Sequence, residues 1–287
     1  MSFHFAERAH QVPSASIPPS SHLGHSRLAP VMNRDIPVRD SWLAIRALVA
    51  PSDLSVVFQP IVDLDTGETF ASEALVRCSV PQYSSPPVLF ERAELLGCAG
   101  RLGRMIRDIA VPLASGIPLF INIHPQELNE GWLVRPDDPI YLHDSDIYLE
   151  ITESVPLTHF DLVMSVLKEV KARGEVKLVV DDLGAGYSNL KSIADLEPNI
   201  VKLDRGLICG IDRSSRQRQL VTSVVRLCRE LDARVVAEGV ETSSELAALR
   251  DTGADFAQGF LFARPSFPIP TPSWPVDAAM PSRMKQK

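Results

Sequence analysis

The sequence predicts an α/β protein built as a (β/α)8 TIM-like barrel with one antiparallel strand near its start. Three observations carry this. Eight short β-branched runs fall over roughly 220 residues between two irregular ends, close to the ~250 residues such a barrel usually takes. From the third run onward they alternate with segments whose apolar residues stand three and four apart, the order that specifies a mostly parallel sheet flanked by helices. The first two runs are separated only by DLDTGE, and Asp-Thr-Gly reads as a hairpin turn, so one of these strands runs antiparallel to its neighbour. An open doubly wound sheet is the main alternative; it is weakened because no G-x-G-x-x-G turn follows any run.

Taken in order, residues 1–40 are rich in Ser, Pro and His without periodicity, and such a segment buries too little apolar surface to offset its ordering entropy. They read as a disordered tail. Its His4, His10, His22 and His25 are irregularly spaced and have no thiol or carboxylate partners in a set, so they read as solvated residues. The barrel is expected over residues 41–267. Its strand candidates are VVFQPIV from Val56, TFASEALVR from Thr69, PLFINI from Pro118, DIYLEIT from Asp146, KLVVDD from Lys177, IVKLD from Ile200, RVVAEG from Arg234 and FAQGFLF from Phe256. FDLVMSVLKEVKAR and RQLVTSVVRLCRELDA have the spacing of amphipathic helices. Residues 268–287 carry prolines too often for helix or central strand and read as an irregular C-terminal tail.

Composition narrows the classes further. With 45% hydrophobic and 23% charged residues, a 287-residue chain can bury a sizeable core, which excludes wholesale disorder, collagen and coiled coil. A net charge of -7 argues against a DNA-binding surface, since phosphate backbones reward clustered positive charge. No stretch approaches the ~20 apolar residues of a membrane span, and the start, MSFHFAERAHQ, lacks the apolar centre of a secretory signal, so a cytoplasmic location without membrane attachment is expected. Cys78, Cys98, Cys209 and Cys228 form no C-x-x-C pair and read as reduced thiols.

The informative feature is where the polar residues fall. Each run from the second on carries one at or near its C-terminal end: Glu73, Asn122, Glu150, Asp181 with Asp182, Lys202, Glu238 and Gln258. In a barrel the carboxyl ends of the parallel strands converge on one face, so five carboxylates would share a bowl. Like charges at close range stay ionised only with positive charge among them, and oxygen ligands with one amide suit two hard ions such as Mg²⁺ or Mn²⁺. Zinc is disfavoured, because no histidine pair or thiol falls on these positions. Any single one of these residues reads more simply as a cap, a turn former or an ion-pair partner; their common depth at the strand ends favours a metal site. An Asp181-Asp182 doublet could bridge two ions, a standard device for attack on a phosphodiester. Lys202 is either an ion-pair partner for the carboxylates or a cation that orients a water.

On these residues the chain resembles the EAL-domain phosphodiesterases that hydrolyse cyclic di-GMP. Glu73-Ala74-Leu75 stands as the signature tripeptide with Arg77 in the EALxR position. FQPIVDL, INIHP, LEITES, VDDLGAGYSNL, VKLD, AEGVET and AQGFLFARP follow in the family's order from Val56 to Pro265. The resemblance implies metal ligands at Glu73, Asn122, Glu150, Asp181 and Asp182, with Gln258 in a supporting place. It implies Lys202 and Glu238 beside the attacking water, and Gln59, Leu75 and Arg77 on the dinucleotide. It also implies a supporting carboxylate at Asp204, and Glu153 as an anchor for the DDLGAGYSNL loop. The expected activity is two-metal hydrolysis of cyclic di-GMP to linear pGpG; the family relationship also allows a homodimer. Departures are Leu183 and Ala185, where the family usually has Phe and Thr, and His124, where it commonly has Ser. His124 reads equally as a neighbour of the site and as a surface histidine opening the His-Pro turn. The rival from another class is a non-catalytic cyclic di-GMP receptor or scaffold; a third reading is a metal-dependent barrel enzyme with another substrate.

Overall fold

The computed structural model describes residues 38–152, 160–174, 176–185 and 190–275. Glu153, Gly186 and Ser188 lie outside them. The strands are β1 (Leu54–Asp63), β2 (Thr69–Cys78), β3 (Leu119–Asn122), β4 (Ile147–Thr152), β5 (Val176–Leu183), β6 (Ile200–Leu203), β7 (Arg234–Ala237) and β8 (Phe256–Ala257), and they close into a barrel in that order. The antiparallel strand is β1. It pairs antiparallel with β2 on one side and with β8 on the other, while every other neighbouring pair is parallel. The turn behind it forms as its residues dictate: Asp63 Oδ1 accepts from the backbone N–H groups of Asp65 and Thr66, and Gly67 takes φ 73° where a side chain would be strained.

The described helices are α1 (Val38–Leu48), α2 (Pro86–Leu95), α3 (Ala99–Leu113), α4 (Pro125–Glu130), α5 (Phe160–Arg173), α6 (Leu190–Leu196), α7 (Arg205–Ile208), α8 (Ser215–Glu230) and α9 (Ser243–Arg250). Helix α1 starts at Val38, inside the stretch read as tail, because Ile45 and Leu48 bury an apolar stripe against the barrel. The run FAQGFLF differs from expectation more: only Phe256 and Ala257 are strand. A Cβ on Gly259 would overlap the backbone of Val240, so the chain there packs against the turn after β7 instead of continuing the sheet. Beyond Pro268 the chain is irregular yet not free of contacts. Ser273 N donates to Phe262 O at 3.0 Å, and the Trp274 ring lies 5.8 Å from that of Phe262.

Apolar side chains fill three places. Two cores lie between the sheet and its helices, one under α1–α5 and one under α8 and α9. The third is the barrel interior, where each strand contributes one residue: Ile61, Ala71, Phe120, Tyr148, Val179, Ile200, Val236 and Phe256. This plug lies one layer beneath the mouth of the barrel, and it sets the position of the site.

Candidate metal centre

Side chains on a strand alternate faces, so the residue two positions toward the carboxyl end also points at the barrel axis. Two positions on from the plug, in the same order around the barrel, stand Gln59, Glu73, Asn122, Glu150, Asp181, Lys202, Glu238 and Gln258; on antiparallel β1 the count runs backward from Ile61. An apolar layer thus carries a wholly polar one. Glu73 sits mid-strand, not at a strand end, because β2 runs on to Cys78 beside β1.

Lys202 is the hub. It is 1% exposed, and its Nζ lies 2.7 Å from Glu150 Oε1, 2.7 Å from Glu238 Oε1, 3.2 Å from Asp181 Oδ1 and 3.5 Å from Glu73 Oε2. Amides fix Glu73 from both sides: Asn122 Nδ2 donates to its Oε1 at 3.0 Å and Gln258 Nε2 to its Oε2 at 2.8 Å. Gln258 Nε2 also reaches Gln59 Oε1, and Gln59 Nε2 donates to Ala263 O.

Asp181 and Asp182 are chain neighbours and on a regular strand would face opposite ways. They do not here. Asp182 has φ 60°, in the left-handed region that Asp tolerates better than most, and the β5–β6 register shifts between Val180 and Leu183. Ligand oxygens of Asp181, Asp182 and Glu238 consequently lie within 4.8 Å of one another.

The electrostatics of the bowl's own side chains follow from burial and crowding. Burial disfavours the ammonium form of Lys202, but Asp181, Glu150, Glu238 and Glu73 outweigh it and hold the group well above the ordinary lysine range. Burial, with Glu73 and Asp181 adding repulsion, raises Glu150 well above the usual carboxylate range. Glu238 is pushed up to about 8 by burial, with Asp181 and Glu73 adding to it and Lys202 opposing. Burial and Asp181 raise Asp182. Glu73 goes the other way: burial is more than offset by Lys202 and the two amide donors, which lower it.

The residues fit divalent cations. The donors are carboxylate and amide oxygens; among the described residues Glu150 Oε2 and Gln258 Oε1 are buried without a hydrogen-bond partner, and Asp181 Oδ1 faces the Lys202 ammonium at 3.2 Å. A hard ion supplies what such oxygens lack, and its charge reverses the repulsion that raises Glu150, Asp182 and Glu238.

The remaining expected residues stand around the mouth. Leu75 lines both a cleft of about 350 Å³, shared with Arg77, Phe90 and His124, and one of about 250 Å³ beside Glu238. Arg77 Nη1 donates to Val76 O at 2.8 Å. Asp204 caps α7, its Oδ1 accepting from Gly206 N at 2.8 Å, and adds to the repulsion on Asp182. His124 caps α4 by accepting from Gln126 N, and its ring stacks on Phe90 at 5.6 Å. The prediction for Glu153 falls outside the described residues. Two mouth residues escaped the sequence reading, Arg205 and Glu241, although each stands three residues past a predicted site residue.

Fold and bowl together define a (β/α)8 barrel whose carboxyl mouth is an oxygen-lined site suited to divalent cations. The chain belongs to the EAL domain family, whose model matches residues 43–265. Cyclic di-GMP phosphodiesterase NbdA of Pseudomonas aeruginosa is 30% identical over 235 residues, covering 77% of this chain but 30% of NbdA. The chain therefore spans less than a third of that relative. BlrP1 of Klebsiella pneumoniae, solved at pH 6 in a complex with manganese and cyclic di-GMP, is 32% identical with a TM-score of 0.67 over 80% of this chain and 60% of that one. The EAL domain of Mycobacterium smegmatis DcpA is 29% identical with a TM-score of 0.62, covering 74% of this chain and 93% of its own.

Proposed function

We propose that this chain hydrolyses cyclic di-GMP, opening one phosphodiester to give linear pGpG and so lowering the concentration of a second messenger. The observation that carries the reading is the complete polar layer around Lys202, with Asp181, Asp182 and Glu238 converging at one point of it. Relatives bearing this activity in their names, and a neighbour solved with manganese and the dinucleotide, support it.

Glu73, Asn122, Glu150, Asp181 and Asp182 would hold two ions, magnesium or manganese, with Gln258 buttressing Glu73. When bound, the ions supply the Lewis acidity that makes water acidic near neutral pH. Lys202 Nζ and the Glu238 carboxylate, 2.7 Å apart, position the attacking water, and the ammonium offsets negative charge growing on the phosphoryl oxygens. Gln59, Leu75 and Arg77 line the mouth where the dinucleotide would lie; the guanidinium fork of Arg77 is shaped for a phosphate. Asp204 holds the turn after Lys202 in place through its cap on α7.

The test is turnover by the purified protein with and without Mg²⁺ or Mn²⁺, on cyclic di-GMP and on bis-p-nitrophenyl phosphate. Metal-dependent formation of pGpG supports the proposal. Tight binding without turnover would make the chain a receptor, and turnover of the simple diester alone would make it a metal-dependent hydrolase of another substrate.

A further inference from the structure

Five carboxylates, Glu73, Glu150, Asp181, Asp182 and Glu238, face one ammonium, Lys202. Two divalent ions would bring the formal charge of the bowl to zero. A cyclic dinucleotide carries two phosphates on opposite sides of its ring, and the ions would engage one of them. The other must find its cation at the rim.

In the cleft beside Glu238, lined also by Leu75, Glu241 and Phe260, Arg205 is the sole cation among the described lining residues. Its placement is specified by neighbours. A Cβ on Gly239, the residue after Glu238, would overlap the Arg205 stem, so this side chain lies across the backbone at the edge of the bowl. Its Nη2 meets Glu241 Oε1 at 2.9 Å, with side chains 58% and 42% exposed. An exposed ion pair of this kind contributes little to folding and exchanges partners readily. A guanidinium that meets a carboxylate oxygen here can take a phosphate oxygen in its place, and its planar donors can engage two such oxygens at once.

We propose that Arg205 binds the second phosphate of the cyclic dinucleotide, and that Glu241 occupies this guanidinium until the ligand displaces it. Glu241 is then a competitor of the substrate rather than its partner. The inference rests on the proposed substrate and gives this phosphate a second guanidinium besides Arg77, from the neighbouring cleft, which shares Glu73 and Leu75 with that of Arg77.

Its consequence separates it from a structural salt bridge. A bridge that only stabilises the mouth loses the same thing whichever partner is removed. A guanidinium shared between a carboxylate and a phosphate gives effects of opposite sign: Arg205→Gln weakens cyclic di-GMP binding about tenfold by removing a charged hydrogen bond, whereas Glu241→Gln tightens it about threefold by releasing an exposed ion pair.

The experiment is calorimetric titration of cyclic di-GMP into the calcium-loaded wild type, Arg205→Gln and Glu241→Gln, at two salt concentrations, with thermal melts of each. Opposite shifts in affinity, a weaker salt dependence for Arg205→Gln and unchanged melts support the proposal. Equal or same-signed shifts overturn it and leave the substrate assignment standing. A wild type that does not bind cyclic di-GMP overturns both.

Discussion

Lys202 Nζ and Glu238 Oε1 stand 2.7 Å apart at the bottom of the mouth, inside a group where Glu150 lies as close to the same ammonium. Burial makes this relationship necessary. A lysine 1% exposed is tolerated only because carboxylates surround it, and these carboxylates are tolerated together only because of the lysine. Lys202→Met should therefore destabilise the ion-free protein by about 3–5 kcal/mol, the usual cost of breaking a buried pair. Added Mn²⁺ should recover most of that loss, while turnover stays down by about a hundredfold or more. Thermal melts with and without the ion, beside kcat, check this. Recovery of both stability and full turnover would assign the lysine a purely structural place.

The raised position of Glu238 gives a pH signature. Its folded pKa of about 8 lies above the ordinary glutamate value of 4.5, so the folded protein binds more protons at this group than the unfolded chain between those limits. Stability of the ion-free protein should accordingly fall as pH rises from about 4.5 through about 8 and level off above. Uptake of a divalent ion should release a proton from Glu238 below about pH 8, and that share of the release should fade as pH rises through this value. Calorimetry in buffers of different ionisation enthalpy measures the release directly; a pH-independent count would remove Glu238 from the metal-linked group.

The polar layer was legible because period-2 alternation is rigid: once Phe120, Tyr148 and Ile200 face the axis, Asn122, Glu150 and Lys202 must too. The Asp181-Asp182 doublet was read into the same bowl, although alternation alone carries only Asp181 there; the local φ of 60° at Asp182 turns its neighbour inward as well. Two other features were not legible. Arg107 looks like the polar face of an amphipathic helix, yet it is wholly buried, paired with Glu127 and Asp138 from 20 and 31 residues away, a distance that no local pattern records. FAQGFLF alternates like a strand, but the backbone of Val240 occupies the space that Gly259 leaves free. In each case a tertiary neighbour decides what local sequence cannot.

Arg77 and Lys202 should divide binding from chemistry. Arg77 lines the wide cleft with Phe90 and His124 and makes no ion pair among the described residues, so its removal leaves the carboxylate group intact. Arg77→Ala should raise KM about tenfold with kcat little changed, if its phosphate contact is equal in ground and transition states. Steady-state kinetics beside equilibrium binding checks this. A loss confined to kcat would place the guanidinium at the reacting phosphate instead.

The left-handed backbone at Asp182 predicts a divergence between stability and metal affinity. Asp182→Gly relieves strain and removes a carboxylate that Asp181 repels, so the ion-free protein should be as stable as wild type or more so, while needing far more metal for turnover. Asp182→Val should cost about 1–3 kcal/mol, since a branched side chain is disfavoured at positive φ. Asp182→Asn keeps the backbone preference and should fold normally. Denaturant melts and a metal titration of activity on the three variants test the assignment; a glycine variant with wild-type metal affinity would exclude Asp182 as a ligand.

Gly259 offers a test of how the fold holds the ligands. A Cβ at this position would meet the carbonyl oxygen, nitrogen and carbonyl carbon of Val240, and backbone atoms cannot swing aside as a flexible side chain can. Two hydrogen bonds tie the same segment together, Gln258 N to Ala237 O at 2.9 Å and Val240 N to Gln258 O at 3.1 Å. Gly259→Ala must therefore push the β8 end away from the turn after β7, at a cost of about 1–3 kcal/mol for overpacking. That movement takes with it Gln258, whose Nε2 holds Glu73 Oε2 at 2.8 Å, and shifts the turn carrying Glu238. The variant should lose metal affinity in proportion to the strain, although no ligand has been altered. Gln258→Ala is the control, since it frees Glu73 without the clash: it should weaken metal binding with a smaller loss of stability. If Gly259→Ala melts earlier but titrates metal like wild type, the β7 and β8 ends move independently of the bowl, and the link from backbone packing to metal geometry fails.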